Sequence, residues 1–213
     1  MKYKQLQKGF TLVEMMVVIA ILTIFTSISL VDYKNFGKRQ AFVNLMYDTA
    51  LDIRQVQASG IGVQEVVPGS NDFNVGYGIH FNLELANNSY LIFADKPIGG
   101  TTIRDNGYCS SVDPSCSADT QVAVHTLPTG FIIDDVCGIV DNVRTCIASG
   151  GKMDIVFARP NPDAIIRVNA NLTNAEDDTQ VNYDAAEINF RSPEGEERYL
   201  YIDASGQISV RSE

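Results

Sequence analysis

The chain contains only two histidines, His80 and His125, the side chains best suited to acid–base chemistry near neutral pH. A hydrolase would need one of them beside an activated nucleophile, in a converging pocket. No Gly-x-Ser-x-Gly elbow or comparable nucleophile motif frames a serine in this sequence. The pattern therefore predicts that the protein is not an enzyme, and that both histidines are surface or cross-strand residues.

Four cysteines follow the first hundred residues, and none forms the C-x-x-C spacing of a zinc or redox site. They are Cys109, Cys116, Cys137 and Cys146. Disulfides in an oxidising compartment explain them better than a metal does, although free buried thiols are an alternative. Four cysteines allow three pairings, which the sequence leaves open; the simplest joins Cys109 to Cys116 and Cys137 to Cys146.

Hard oxygen ligands cluster near the first two cysteines, where Asp95, Asp105 and Asp113 are weak candidates for binding calcium. No EF-hand spacing is present, and solvated acidic turns explain the same residues. The sequence therefore predicts neither a resident metal nor a cofactor.

The formal net charge is −10, and it falls to −13 without the three lysines among the first nine residues. Such an acidic body disfavours a nucleic-acid partner, because phosphate binding needs basic residues converging on one face. The arginines that could supply such a face are scattered among acidic residues: Arg144, Arg159, Arg167 and Arg191.

An apolar run from Phe10 to Val31 carries a single charged residue, Glu14, and follows a basic segment with Lys2, Lys4 and Lys8. A helix of this length spans roughly 30 Å, the thickness of a bilayer core. The positive-inside rule then places the first residues in the cytoplasm and the remainder of the chain outside it. A carboxylate in hydrocarbon is costly, so Glu14 is expected to have a function and a partner.

The segment Lys8-Gly9-Phe10-Thr11-Leu12-Val13-Glu14 resembles the N-terminal signal of type IV pilins and type II secretion pseudopilins. The resemblance implies that a prepilin peptidase cleaves between Gly9 and Phe10, and that Phe10 is then N-methylated. It also implies that Glu14 pairs with the N-terminal amine of a neighbouring subunit during filament assembly. The alternative is a plain signal anchor in which Glu14 snorkels to the interface. Unlike many major pilins, the chain has no proline before Pro68.

Beyond Val31 helix breakers stay scarce, so the helix is predicted to continue to about Ala58. An apolar stripe is predicted to face a packed sheet, with Lys34, Lys38, Asp48 and Asp52 on the other side. Its members are Phe36, Val43, Met46, Ala50 and Ile53.

After Gly62 short β-rich runs alternate with turns, which predicts antiparallel strands. The candidate strands are Tyr77–Phe81, Tyr90–Ala94, Gln121–Thr126, Phe131–Ile133, Met153–Phe157, Ile165–Val168, Glu187–Phe190, Arg198–Ile202 and Gln207–Val210, with a hairpin loop at Asp203–Gly206. The stretches GYGIHF, YLIFAD and SGQISV resemble the minor branch typified by the H-type pseudopilin.

The predicted fold class is α+β: a long N-terminal helix, half transmembrane and half amphipathic, packed against an antiparallel β-sheet domain of the pilin type. The predicted segments are a cleaved leader (1–9), a membrane helix (10–31), an amphipathic helix (32–59) and a β-rich domain (60–213). The predicted function is that of a minor pilin or pseudopilin, single-pass in the cytoplasmic membrane and then in a filament, whose partners are other such subunits and the prepilin peptidase. A membrane-anchored binding module for DNA uptake or adhesion is the alternative.

Overall fold

A computed structural model of the chain describes residues 9–63, 65–66, 73, 75–96, 107–108, 119–148, 151–168 and 183–212, and leaves the side chains of residues 30–35 and 148 undescribed. In these residues one helix, α1 (Leu12–Ile61), precedes ten β-strands. The predicted α+β class is therefore confirmed. The chain divides into two compact units, residues 1–44 and residues 45–213.

The first unit contains the apolar part of α1, and its large side chains are exposed from Leu12 to Ile28. Phe36 is also exposed (66%), so its predicted place in the packed stripe is wrong. The described residues of this unit include no β-strand against which that side chain could pack.

The second unit contains the end of α1 and two five-stranded antiparallel sheets. The first sheet has the order β3-β2-β1-β6-β7 and the second has the order β10-β9-β8-β4-β5. The strands are β1 (Gly76–Asn82), β2 (Ser89–Asp95), β3 (Thr120–Thr126), β4 (Ile132–Val140), β5 (Val143–Ala148), β6 (Lys152–Phe157), β7 (Ala164–Val168), β8 (Ala185–Arg191), β9 (Glu197–Asp203) and β10 (Ile208–Ser212). Eight of the nine predicted strands are present within a few residues of their predicted bounds. The ninth, β4, continues seven residues beyond its predicted end at Ile133, and β5 was not predicted.

The end of α1 packs through Met46, Ala50, Ile53 and Val56, all of which are buried. These positions recur every three or four residues, as one face of a helix requires. Gly60 brings the helix close to β6, because a Cβ at this position would lie 2.2 Å from the Phe157 carbonyl oxygen. The helix ends at Ile61, three residues beyond its predicted end near Ala58, and Gly60 allows this last turn to lie against β6.

The turn between β9 and β10 is the predicted hairpin loop. Its backbone bonds run from Gly206 N–H to the Asp203 carbonyl and from Asp203 N–H to the Gln207 carbonyl, both at 2.8–2.9 Å. Gly206 has φ +83°, a left-handed conformation that glycine adopts without strain. The Gln57 side-chain amide of α1 donates to the Gly206 carbonyl, which ties the hairpin to the helix.

Candidate functional site

The start of α1 is capped by Thr11. The Glu14 backbone N–H donates to the Thr11 hydroxyl oxygen at 3.2 Å, and Met15 N–H donates to the Thr11 carbonyl. Thr11 is thus the N-cap, and Glu14 lies in the first turn, where a negative charge complements the helix dipole. Gly9 and Phe10 precede the helix and are exposed. The sequence Thr-Leu-Val-Glu has the T-x-x-E spacing of a capping box, a signal for Thr11 that the sequence analysis missed.

The segment Leu12–Ser29 is the one stretch of described helix that is long and apolar enough to span a membrane, with a mean hydropathy of 2.2. None of it is buried within the chain. Its hydroxyls at Thr23, Thr26, Ser27 and Ser29 each donate to a backbone carbonyl three or four residues earlier. Every side-chain donor in the segment is therefore satisfied within the helix itself, as hydrocarbon surroundings require.

Glu14 is the only charged residue of that segment. In the described part of the chain no cationic group lies within ion-pair distance of its carboxylate. The helix therefore presents one carboxylate near its start, with an otherwise apolar surface beyond it.

Comparison with protein-family models finds one match, at residues 4–30, to the prokaryotic N-terminal methylation motif. The match supports a type IV pilin or pseudopilin family for this chain. It covers residues 4–9, the capped start of α1 and the apolar segment, and the family that carries this motif is structural rather than enzymatic. The comparisons with curated proteins and with solved structures found no match.

A cluster of three polar side chains, Asp52, Tyr90 and His125, joins α1 to the first sheet. The Asp52 carboxylate accepts a hydrogen bond from the Tyr90 hydroxyl at 2.6 Å and lies 2.7 Å from His125 Nδ1. The Tyr90 and His125 rings stack on each other, with their centroids 5.4 Å apart. Burial and the hydrogen bond to Asp52 raise the pKa of the Tyr90 hydroxyl above its ordinary range. Asp52 lies off the apolar stripe, as predicted, but it does not face solvent alone: its partly exposed carboxylate contacts the first sheet through Tyr90 and His125.

His80 is a buried cross-strand residue and not a surface one. It lies opposite Asp154 in the register of β1 and β6, and its Nδ1 is 2.7 Å from the Asp154 carboxylate. The Tyr108 ring lies over it with a centroid distance of 4.8 Å. Both faces of β1 are buried, so His80 is enclosed on its own face of the strand.

Cys137 and Cys146 form a disulfide, which confirms the local pairing for these two residues. They lie directly opposite each other in the register of β4 and β5. Asp135 Oδ1 is 3.3 Å from Cys137 Sγ. Burial raises the pKa of the Asp135 carboxyl, and the Arg144 guanidinium opposes that rise. Asp135 and the two sulfurs lie within 4.8 Å of one another, but the disulfide occupies both sulfurs and leaves them unsuited to a metal.

The remaining predicted ligands are only partly described. Asp95 is fully buried at the end of β2. Asp105, Asp113, Cys109 and Cys116 lie outside the described residues. The weak calcium candidates therefore remain a prediction.

Three of the four arginines named in the sequence analysis have partners within the chain. Arg144 pairs with Glu187 at 2.6 Å, and Arg191 pairs with Asp134 and Glu197. Arg159 instead donates to the Phe73 carbonyl. Carboxylates or backbone thus hold these three cations.

Proposed function

We propose that the chain is a minor pilin or pseudopilin, a structural subunit of a type IV pilus or a type II secretion-like filament. Prepilin peptidase would cleave between Gly9 and Phe10, and Phe10 would become the methylated N-terminus. The mature subunit would then consist of a membrane helix (10–31), an amphipathic helix (32–59) and a body (60–213) outside the cytoplasm.

The observation that supports this proposal best is an uncovered apolar helix with one carboxylate in its first turn. An apolar surface of this kind is stable either in lipid or against other apolar helices. A filament supplies such helices, because each subunit that leaves the membrane exchanges lipid contacts for contacts with its neighbours.

In this proposal Glu14 determines the axial position of each subunit relative to its neighbours in the filament. Cleavage after Gly9 would create a positively charged amine at Phe10, close to the level of Glu14 along the helix. In a low-dielectric helix bundle, an unpaired carboxylate is much more costly than one paired with an amine. Subunits are therefore expected to stop at the axial position where the Glu14 carboxylate of one meets the N-terminal amine of the next.

The experiment combines mass spectrometry with filament recovery in cells that supply prepilin peptidase and the companion subunits. We expect the parent chain to lose residues 1–9 and a Gly9→Ala variant to keep them. Glu14→Gln should be processed normally and yet be missing from sheared filaments. Thr23→Val is the matched control, since it also changes one polar side chain of the same helix, and it should enter filaments.

Two results would contradict the proposal. An intact leader in the parent chain would indicate a plain signal anchor. Equal recovery of Glu14→Gln and the parent in filaments would remove the assembly role of the carboxylate.

A further inference from the structure

The disulfide between Cys137 and Cys146 joins two sulfurs in very different surroundings. Cys137 lies in β4, an inner strand of the second sheet, and is completely buried. Cys146 lies in β5, the edge strand of that sheet, and is exposed. An incoming thiolate must approach the sulfur that it attacks, so only one end of this bond is open to attack from solvent.

We propose that the Cys137–Cys146 bond is a thiol-exchange site at which an external thiol attacks Cys146 and forms the first mixed disulfide there. The reactant is a small thiol or the exposed cysteine of a dithiol protein. Its thiolate forms a new bond to Cys146 Sγ, and the bond between Cys146 and Cys137 breaks. The electron pair remains on Cys137 Sγ, which takes a proton from solvent. A second thiol then releases Cys146, so that two external thiols become a disulfide and the chain gains two thiols.

The groups around Cys137 determine what happens after the first step. Asp135 Oδ1 is 3.3 Å away, and Glu187 lies opposite Cys137 in the register of β4 and β8. Arg144 is the cation nearest to these carboxylates, 2.6 Å from Glu187 and 4.0 Å from Asp135. Two carboxylates and one guanidinium give the surroundings of Cys137 a net negative charge, which disfavours a negative charge on its sulfur. Burial of the sulfur disfavours that charge as well. Both effects favour the neutral thiol of Cys137 over its thiolate.

A neutral thiol is a poor nucleophile, so Cys137 should be slow to attack the mixed disulfide and close the original bond again. The modification on Cys146 is therefore expected to persist long enough to be isolated. Asp135 acts indirectly in this scheme. Its charge disfavours the thiolate of Cys137, the leaving sulfur, and it does not touch the incoming thiol.

The first experiment maps the mixed disulfide on the full chain in detergent. A Cys109→Ser/Cys116→Ser variant, which keeps only this cysteine pair, is treated with glutathione at pH 8 and quenched with acid. The quenched chain is then unfolded in urea with N-ethylmaleimide, so that buried thiols are labelled as well. Peptide mass spectrometry should find glutathione on Cys146 and maleimide on Cys137. Glutathione mainly on Cys137, or exchange only after the chain has been unfolded, would overturn the proposal.

The second experiment tests the role of Asp135. Asp135→Asn removes the nearest negative charge, so Cys137 should leave and return faster; we expect about a threefold higher exchange rate and a shorter-lived mixed disulfide. Asp134→Asn is the matched control, because Asp134 pairs with Arg191. Far-UV circular dichroism checks that both variants are folded. Equal exchange rates in Asp135→Asn and the parent would show that this carboxylate has no such role.

Discussion

The Tyr90 hydroxyl is one of the groups that connect α1 to the first sheet. Tyr90 is buried, and its hydroxyl donates to Asp52 at 2.6 Å. A hydrogen bond to a charged group contributes about 1.5–3 kcal/mol, so Tyr90→Phe should lower the free energy of unfolding by about 2 kcal/mol. The control is Tyr47→Phe, because Tyr47 is 62% exposed and should change stability by less than about 0.5 kcal/mol. Urea unfolding at pH 7.5 measures both, and equal losses would contradict the role of the bond.

The contribution of the Tyr90 hydroxyl to stability is also expected to depend on pH. Burial and Asp52 raise the pKa of Tyr90 in the folded chain above its ordinary value near 10. The hydroxyl therefore contributes its full stability below pH 10, and the contribution is lost as the pH rises above 10 toward the higher folded pKa. The stability difference between the parent and Tyr90→Phe should shrink by about 1 kcal/mol between pH 8 and pH 10.5. A constant difference would mean that Tyr90 ionises equally in both states.

The β4–β5 hairpin is the element in which turn chemistry matters most. Asp141 and Asn142 form a two-residue loop with φ values of 50° and 64°, as a type I′ turn requires. Asn142→Ala should destabilise the chain by about 1 kcal/mol, because an alanine side chain is strained at positive φ. Asn142→Gly should be neutral or slightly stabilising, since glycine adopts this conformation freely. Thermal unfolding of both variants, with the disulfide intact, measures the difference; equal effects would argue against the turn type.

The same hairpin shows what sequence patterns could and could not supply. The strands from Tyr77 to Ala94 were found because each is short and bounded by turn residues. β5 was missed, although Val140 and Val143 flank an Asp-Asn pair, and both residue types are common in the type I′ turns of hairpins. The cysteines lie four residues before Asp141 and four after Asn142, which makes them cross-strand partners once the turn is recognised.

Other features depend on tertiary contacts that no local pattern contains. The helical period places Asp52 away from the predicted stripe, but only the position of β2 and β3 brings it to Tyr90 and His125. His80 was predicted to be a surface or cross-strand residue, and only the burial of both faces of β1 makes it a buried cross-strand one. The capped start of α1 is the reverse case, since the Thr11–Glu14 spacing is local and could have been identified from sequence.

At the scale of the whole molecule, the two units differ in the surroundings that suit them. In the segment Leu12–Ser29 no residue is buried, and the mean hydropathy is 2.2. The second unit instead has a core of its own around the end of α1 and the two sheets. Membrane attachment is therefore expected to depend on the apolar segment alone.

Arginine pairs of matched spacing test this expectation. Val18→Arg/Leu22→Arg places two charges near the middle of the apolar segment, where each costs about 2.5–3.5 kcal/mol in a bilayer. Tyr47→Arg/Leu51→Arg places two charges four residues apart in the second unit, at side chains that are each 62% exposed. After alkaline extraction of cell membranes, the first variant should appear in the soluble fraction, and the second should stay in the pellet with the parent. Release of both variants to the same extent would mean that the second unit also holds the chain to the membrane.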